Sequence, residues 1–340
     1  MKILLKKSLI VTGCLLTLGL IAIWLIWGIY FSSQITYAGK IFEIKKGERF
    51  LDIALHLEQN KLIKSKWFFD LYGIYTSKYK KIQPGKYELS PSFSVAQMLD
   101  KIARGEFIKE RVRVQEGWSI QDIAKELKNK QLISALDFTT TTKTVDFTEQ
   151  FPFLTDKPKD VGLEGYIFPD TYDIRADASA VEIIQTTLHN FDNKLTPEIR
   201  KQIADQKKTY FEIITMASIL EKEVMLYSDK QIVAGILWKR IEEGWPLQVD
   251  ATLAYFTGRY SMELTKKDLA TDSPYNTYKH KGLPKGPICN PGINSIKAAI
   301  DYHKTPYWFY MSKPDGTVLY SKTLAEQNAN RQIHWSKYDQ

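Results

Sequence analysis

The sequence predicts an α+β protein that begins with a transmembrane helix, continues with two small βα units and ends in a larger mixed α/β domain. Three observations predict this: an unbroken apolar segment near the N-terminus, a repeated strand–glycine–helix pattern after it, and a long amphipathic helix in the second half. The chain has 340 residues, of which 44% are hydrophobic and 25% charged. These values are typical of a folded protein with two or three domains.

The apolar segment runs from Ser8 to Phe31, and as a helix its roughly 24 residues would cross the roughly 30 Å hydrocarbon core of a membrane. Three positive charges precede it: Lys2, Lys6 and Lys7. Residues 32–39 carry none, so the positive-inside rule predicts a cytoplasmic N-terminus. The expected product is a single-pass protein of the cytoplasmic (inner) membrane, with everything from about residue 32 outside the cytoplasm.

A cleaved signal peptide is the alternative, but its apolar region is usually only about 7 to 15 residues long and ends in small residues. Here the segment ends with Trp27, Tyr30 and Phe31, which fit an interfacial aromatic belt. The net charge of +8 is spread along the chain, so we predict no nucleic-acid partner. One exported cysteine, Cys289, and histidines without paired spacing predict no disulfide, metal site or cofactor.

A repeat follows the apolar segment, because residues 42–47 (FEIKKG) align with residues 112–117 (VRVQEG). Each copy predicts a strand, a glycine turn and a helix, which starts at Phe50 in the first copy and at Ile120 in the second. Ser119 should cap the second helix. Between the copies, residues 85–89 predict a strand and Ser94 predicts a capping box. The pattern resembles the LysM module, a carbohydrate-binding fold, although a plain packing domain would show it too.

The segment from Phe138 to Lys159 is rich in threonine, aspartate and lysine, and it predicts a loop or insertion. After it, Tyr210 to Leu226 has the most regular helical pattern of the chain, with a core-facing stripe about 100° wide. Glu221 and Glu223 lie on opposite shoulders of that stripe and so cannot act as a pair. A partly desolvated carboxyl group can keep its proton near neutral pH, so either glutamate is a candidate general acid.

Four local sequences, in order, carry a resemblance to a known family. They are residues 163–172 (LEGYIFPDTY), 217–223 (ASILEKE), 246–252 (PLQVDAT), and 273–278 (SPYNTY) continuing to 282–292 (GLPKGPICNPG). Together they resemble the YceG-like family of membrane-bound endolytic murein transglycosylases, and the resemblance covers nearly the whole exported chain.

The resemblance implies a lytic transglycosylase, a carbon–oxygen lyase that acts on peptidoglycan glycan strands. It implies that Glu221, the first glutamate of the triplet, is the catalytic acid and that the products carry 1,6-anhydro-N-acetylmuramic acid ends. The muramic C6 hydroxyl would be the nucleophile, so a second enzymatic carboxylate, usual in glycosidases, is not needed. Anchored near the membrane, such an enzyme would cut nascent strands and end their elongation.

The resemblance and the loop chemistry together predict ten substrate-binding residues. They are Glu164, Tyr166, Gln248, Asp250, Thr252, Tyr275, Asn276, Thr277, Tyr278 and Asn290. Their aromatic faces and hydrogen-bonding groups are of the kind that sugar sites use, although prolines and glycines would order the loop at 273–292 in any case.

The predicted organisation is a cytoplasmic tail at 1–7, a transmembrane helix at 8–31, a LysM-like domain at 40–107 and a catalytic domain at 110–336. The catalytic domain begins with a second LysM-like unit at 110–135. Three positions depart from the family pattern: Val318 and Gln327 replace histidines, and Val249 begins a Val-Asp-Ala stretch where relatives often have Ser/Thr-Asp-Pro.

Two other functions fit the same residues. A true hydrolase would activate water with Asp250 or Glu164 and would leave reducing ends. A scaffold would bind glycan through the repeats and recruit peptidoglycan synthases, and it would not need the acid.

Overall fold

The structure is a computed structural model that describes residues 2–31, 38–313 and 315–335. The chain divides into two compact units. Unit 1 comprises residues 1–110 together with 175–177, and unit 2 comprises residues 111–174 and 178–340. Helices predominate, and in the described residues the strands pair as three two-stranded sheets, which confirms the predicted mixture of α and β structure.

Unit 1 begins with a long apolar helix followed by a small sheet covered by helices. Its elements are α1 (Lys2–Tyr30), β1 (Lys40–Ile44), α2 (Phe50–Gln59), α3 (Lys66–Tyr75), a 3₁₀ turn (Lys78–Lys81), β2 (Gly85–Leu89) and α4 (Val95–Ala103). Strands β1 and β2 are antiparallel, with Phe42 opposite Tyr87. Within α1, residues Leu9–Tyr30 are long and apolar enough to cross a membrane.

Unit 2 is a larger helical assembly around one apolar core. After β3 (Lys109–Arg113), which spans the division between the units, its elements are α5 (Ile120–Asn129), α6 (Ala135–Thr144), a 3₁₀ turn (Pro152–Leu154), β4 (Thr171–Arg175), α7 (Ala180–Lys194), α8 (Pro197–Asp205), α9 (Tyr210–Glu223), α10 (Tyr227–Glu242), α11 (Asp250–Thr257), a 3₁₀ turn (Ser261–Glu263), α12 (Lys266–Ala270), α13 (Ile293–Ile300), β5 (Phe309–Ser312), β6 (Val318–Ser321) and α14 (Leu324–Trp335). Strands β3 and β4 pair, as do β5 and β6. Helix α9 packs against α10, α11 and α13, which makes it the central element.

The local signals of the repeat are confirmed. Helices α2 and α5 begin at Phe50 and Ile120, as predicted, and Ser94 and Ser119 both form capping boxes. The turn glycines Gly47 and Gly117 have φ values of 83° and 79°, a region that glycine enters without the steric cost of a side chain.

Two boundaries were wrong. The predicted loop from Phe138 to Lys159 begins inside a helix, because Ser134 caps α6, whose threonine hydroxyls bond to carbonyls of their own helix. The long helix ends at Glu223 and not at Leu226, because Val224 is extended, with φ −144° and ψ 148°. The chain therefore leaves the helix directly after the Glu-Lys-Glu triplet.

Candidate active site at the end of helix α9

Helix α9 carries the two candidate acids in its last turn. A capping box of Thr209 and Glu212 starts the helix. Eight consecutive buried residues, from Ile213 to Leu220, hold it in the core of unit 2. Because the helix is regular from its capped start to Glu223, helical geometry sets the direction in which each glutamate side chain points.

Glu221 is almost fully enclosed and makes three strong contacts. Its Oε1 lies 3.2 Å from Nζ of Lys230 on α10, and only 9% of the Glu221 side chain and 6% of the Lys230 side chain are exposed. Its Oε2 accepts hydrogen bonds from the Ser295 hydroxyl at 2.6 Å and the Gly292 N–H at 3.0 Å. These three contacts together hold the Glu221 carboxyl group in place.

Glu223 faces a different set of groups. The Tyr310 hydroxyl donates to its Oε2 at 3.0 Å, and the Ala251 N–H in the first turn of α11 also donates to the carboxyl. Burial, and to a smaller extent the nearby Asp250 charge, raise the pKa of Glu223, and the two hydrogen bonds lower it in part, so that the pKa is about 7. The side chain still keeps some exposed surface.

The two glutamates therefore have separate partners, in agreement with the prediction that they do not act as a pair. Glu221 connects α9 to α10 and to the start of α13 through ion-pair and hydrogen bonds. Glu223 has a pKa raised to about 7 and, like Glu221, keeps some exposed surface. A carboxyl group that can hold its proton near neutral pH is suited to act as a general acid.

Two segments pass close to Glu223: residues 246–252 and residues 273–278. They contain seven of the ten predicted binding residues. The Gln248 N–H donates to the carbonyl of Thr277 at 3.0 Å, and Pro246 forms a β-bridge with Lys281. Gln248 itself is exposed and has φ +52°, an uncommon backbone conformation outside glycine. Such a conformation persists only where the surrounding structure holds it.

Asp250 and Tyr278 form a direct contact between these segments. The Tyr278 hydroxyl donates to Oδ1 of Asp250 at 2.5 Å. Asp250 is exposed, and both Tyr278 and Tyr275 are partly exposed. The ring of Tyr275 packs against Tyr255 at a centroid distance of 5.2 Å. Gln248, Asp250, Tyr275 and Tyr278 are thus the predicted binding residues that a polymer could reach.

Five other predicted binding residues lie inside unit 2. They have exposed fractions of 0–1%: Tyr166, Thr252, Asn276, Thr277 and Asn290. Each amide or threonine side chain bonds to loop backbone or to another buried side chain. In this conformation a glycan cannot contact these side chains, and their observed role is to hold the loops.

Tyr166 stands apart from the other four because its hydroxyl has no hydrogen-bond partner within the described residues. Its ring lies among Phe153 and Phe191 in the apolar core. Burial raises the pKa of this hydroxyl well above its usual value.

Glu164 is also enclosed, with 7% exposed. It accepts the Ile120 N–H at the start of α5, the Tyr255 hydroxyl and the Asn290 amide, at 3.0–3.1 Å. Burial raises its pKa and the hydrogen bonds from Ile120 and Tyr255 offset part of that rise, so that the pKa is about 7. Its contacts are those of a buried structural group at a helix N-terminus.

Sequence reasoning missed the groups that distinguish the two glutamates. Lys230, Ser295 and Tyr310 were not predicted, because they lie 9, 74 and 87 residues from their glutamate partners. Gln327, noted only as a departure from the family, donates from Nε2 to the carbonyl of Tyr310 at 3.1 Å. It therefore helps to hold the strand from which Tyr310 reaches Glu223.

The chain is similar to known proteins of one family. A family model described as the YceG-like family matches residues 42–333. An endolytic murein transglycosylase of Bacillus subtilis (strain 168) is 30% identical over 305 residues, which cover 86% of this chain and 84% of that protein. An endolytic murein transglycosylase of Streptococcus pneumoniae (strain D39) is 27% identical over 318 residues, and the match spans 57% of its length.

The fold is similar to a solved one as well. The crystal structure of a YceG-like protein from Listeria monocytogenes aligns with a TM-score of 0.60 and 31% sequence identity. The alignment covers 87% of this chain and 100% of that chain.

Proposed function

This chain belongs to the YceG-like family, and on that basis we propose that it is a membrane-anchored endolytic murein transglycosylase. The observation that carries the proposal is the partly buried Glu223, with a pKa of about 7, close to the exposed Asp250. A neutral carboxylic acid next to hydrogen-bonding groups that a polymer can reach is what protonation of a glycosidic oxygen requires.

The environments of the two glutamates favour Glu223 as the acid. The family resemblance predicts Glu221 instead, and experiment must decide between Glu221 and Glu223. Against Glu221 as the acid stand the ion pair with Lys230 and the two further donors, which occupy both Glu221 oxygens. Glu221 is better suited to hold the end of α9 in place.

In the proposed reaction Glu223 acts twice. It first donates its proton to the oxygen that bridges N-acetylmuramic acid and N-acetylglucosamine, and the bond from muramic C1 to that oxygen breaks. The resulting carboxylate then takes the proton of the muramic C6 hydroxyl, whose oxygen bonds to C1. The product is a 1,6-anhydro ring, no water is consumed, and Glu223 ends protonated as it began.

The reachable side chains would hold the sugar. Asp250 offers a carboxylate close to Glu223, and Gln248, two residues earlier in the chain, offers an exposed amide. Tyr275 and Tyr278 offer partly exposed aromatic faces. Sugar sites combine such groups, because hydroxyls need hydrogen bonds and the C–H faces of the ring pack on aromatics. Substrate contact by the five fully buried residues would require the loops to open.

The anchor and the repeat would place the enzyme on its substrate. We propose that Leu9–Tyr30 spans the cytoplasmic membrane with the N-terminus inside, so that both units act on nascent strands outside it. Residues 40–107 and 110–135, as LysM-like units, would add glycan contacts. Peptidoglycan synthases would be the protein partners. Cutting close to the membrane would end strand elongation.

The test is mass spectrometry of fragments that the full-length protein in detergent releases from purified peptidoglycan, beside Glu223→Gln and Glu221→Gln. We expect fragments one water lighter than hydrolysis products, and none from Glu223→Gln. Reducing ends would instead indicate a hydrolase. No fragments from any of the three proteins would favour the scaffold. In that case Glu223→Gln should also leave cellular strand lengths unchanged.

A further inference from the structure

Helix α3 of unit 1 packs against the side of α1, over the last two turns of α1. The ring of Trp24 on α1 lies 5.6 Å from that of Trp67 and 4.9 Å from that of Phe68, both at the start of α3. Tyr30, at the end of α1, lies 5.9 Å from Tyr72, one turn further along α3. Helix α3 therefore runs alongside α1 in the same direction, with its N-terminus at the level of Trp24.

If Leu9–Tyr30 spans the membrane as proposed, that level lies within the bilayer. Leu9–Tyr30 has 22 residues, or about 33 Å of helix, just enough for the roughly 30 Å hydrocarbon core. From Leu9 to Trp24 the helix rises only about 22 Å, which is too short to cross. Tilting would lower this rise further, so Trp24 and whatever contacts its side lie at the depth of the outer leaflet's acyl chains or headgroups.

Helices α1 and α3 are in close contact. A β-carbon added at Gly28 would lie 2.3 Å from the ring of Phe68, so the two helices meet at this glycine. Ile29 is buried in the apolar core of unit 1, and Leu25 packs against that core. The outer end of α1 thus belongs to the core of unit 1.

Helix α3 also has an apolar face that unit 1 covers only in part. Phe68, Phe69 and Tyr72 are buried on one side. At 100° per residue, another four apolar residues form a stripe roughly 100° wide on the other side: Trp67, Leu71, Ile74 and Tyr75. Trp67, Ile74 and Tyr75 are 50%, 58% and 87% exposed. A stripe of this kind on a helix beside a membrane anchor is suited to the acyl–headgroup boundary.

The turn before α3 carries positive charge at the same place. Lys61, Lys64 and Lys66 are all exposed, and Nζ of Lys64 lies 4.6 Å from the centre of the Trp27 ring. Lysines on such a turn can extend their ammonium groups to lipid phosphates while their stems stay in apolar surroundings.

We propose that unit 1 is docked into the outer leaflet, with the tip at residues 60–68 and the exposed stripe of α3 in contact with lipid, and that its lysines bind anionic headgroups. Unit 1 is then a membrane-bound platform that fixes residues 38–110 against the bilayer. The proposal rests on the proposed anchoring but not on the proposed catalysis.

The test uses the full-length protein reconstituted into phosphatidylcholine vesicles with and without phosphatidylglycerol. A Cys14→Ala background removes the exposed thiol and keeps the buried Cys289. An environment-sensitive fluorophore is then attached at Trp67→Cys, at Ile74→Cys on the same stripe, or at Leu136→Cys, a 73% exposed position in unit 2. Circular dichroism checks folding, and resistance to alkaline extraction checks that the anchor is inserted.

We expect brominated lipids to quench the label at position 67 several-fold more than the label at 136, with 74 intermediate because α3 runs outward. Aqueous iodide should give the reverse order. Changing Lys61, Lys64 and Lys66 to glutamate should weaken lipid quenching at 67 more in vesicles that contain phosphatidylglycerol. An inserted anchor with position 67 open to iodide and unquenched by lipid would overturn the proposal.

Discussion

The two sides of the last turn of α9 show how one helix can carry two glutamates with different surroundings. On one side Glu221 meets an ammonium, a hydroxyl and a backbone N–H, and is held at both oxygens. On the other side Glu223 meets a tyrosine hydroxyl, one N–H and the charge of Asp250, and its pKa rises to about 7. Two residues of separation place one carboxylate among donors and leave the other able to hold a proton.

The largest expected effect is the loss of catalysis in Glu223→Gln. Glutamine has the same shape but cannot donate an acidic proton, so we expect the rate of glycan cleavage to fall by about 10²–10⁴-fold with little change in melting temperature. Glu221→Gln should retain measurable cleavage and melt at a lower temperature. Fragment-release rates and circular dichroism measure both, and an inactive Glu221→Gln beside an active Glu223→Gln would reverse the assignment.

The next effect concerns the stability that the Glu221 side provides. Lys230→Met leaves a nearly buried carboxylate without its cation, which should lower the free energy of unfolding by about 3–5 kcal/mol. Denaturation of the full chain in detergent measures this loss.

Combining Lys230→Met with Glu221→Gln is the control. The double variant should be more stable than the sum of the single effects implies, because the uncompensated charge has gone. Simple additivity would mean that the two groups do not interact.

A smaller effect is a shift in the pH dependence of cleavage. An acid must be protonated, so activity should fall as the pH rises through the pKa of Glu223, about 7. The Asp250 charge raises that pKa, and Asp250→Asn should therefore move the fall in activity to lower pH. The readout is the pH of half-maximal rate, because Asp250 is also placed to touch substrate.

Tyr310→Phe is the matched variant with the opposite sign. The Tyr310 hydrogen bond lowers the pKa of Glu223, so its removal should move the fall in activity to higher pH. Shifts of both variants in the same direction would contradict Glu223 as the titrating acid.

The smallest effect is on the pH dependence of stability. The pKa of Glu164 is about 7 in the folded chain against an ordinary value of 4.5, so the folded state holds the proton longer than the unfolded state. Stability should therefore decline as the pH rises from about 4.5 to about 7. Glu164→Gln removes this titration, and its melting temperature should drop less than that of the unchanged protein between about pH 5 and about pH 8.

Glu223 has a similarly raised pKa and keeps its own share of the decline, so the curve for Glu164→Gln should flatten but not become level. A decline equal to that of the unchanged protein would show that Glu164 does not titrate in this range.

Local signals in the sequence were sufficient to predict where several helices begin. Serine caps, glycine turns and the spacing of apolar residues predicted the starts of α2, α4, α5 and α9, because these interactions join residues only a few positions apart. The wheel of α9 also separated Glu221 from Glu223 correctly, since helical geometry is local. The order of the four family segments was sufficient to identify the family.

The tertiary structure alone decided what surrounds each side chain. Nothing near Glu223 in the sequence indicates that Tyr310 donates to it, and nothing near Glu221 indicates Ser295 or Gly292. Burial of Tyr166, Asn276 and Asn290 likewise depends on how distant segments pack. The pKa of a carboxyl group is set by desolvation and by charges within a few ångströms, whatever their distance along the chain, so only the folded contacts distinguish the two glutamates.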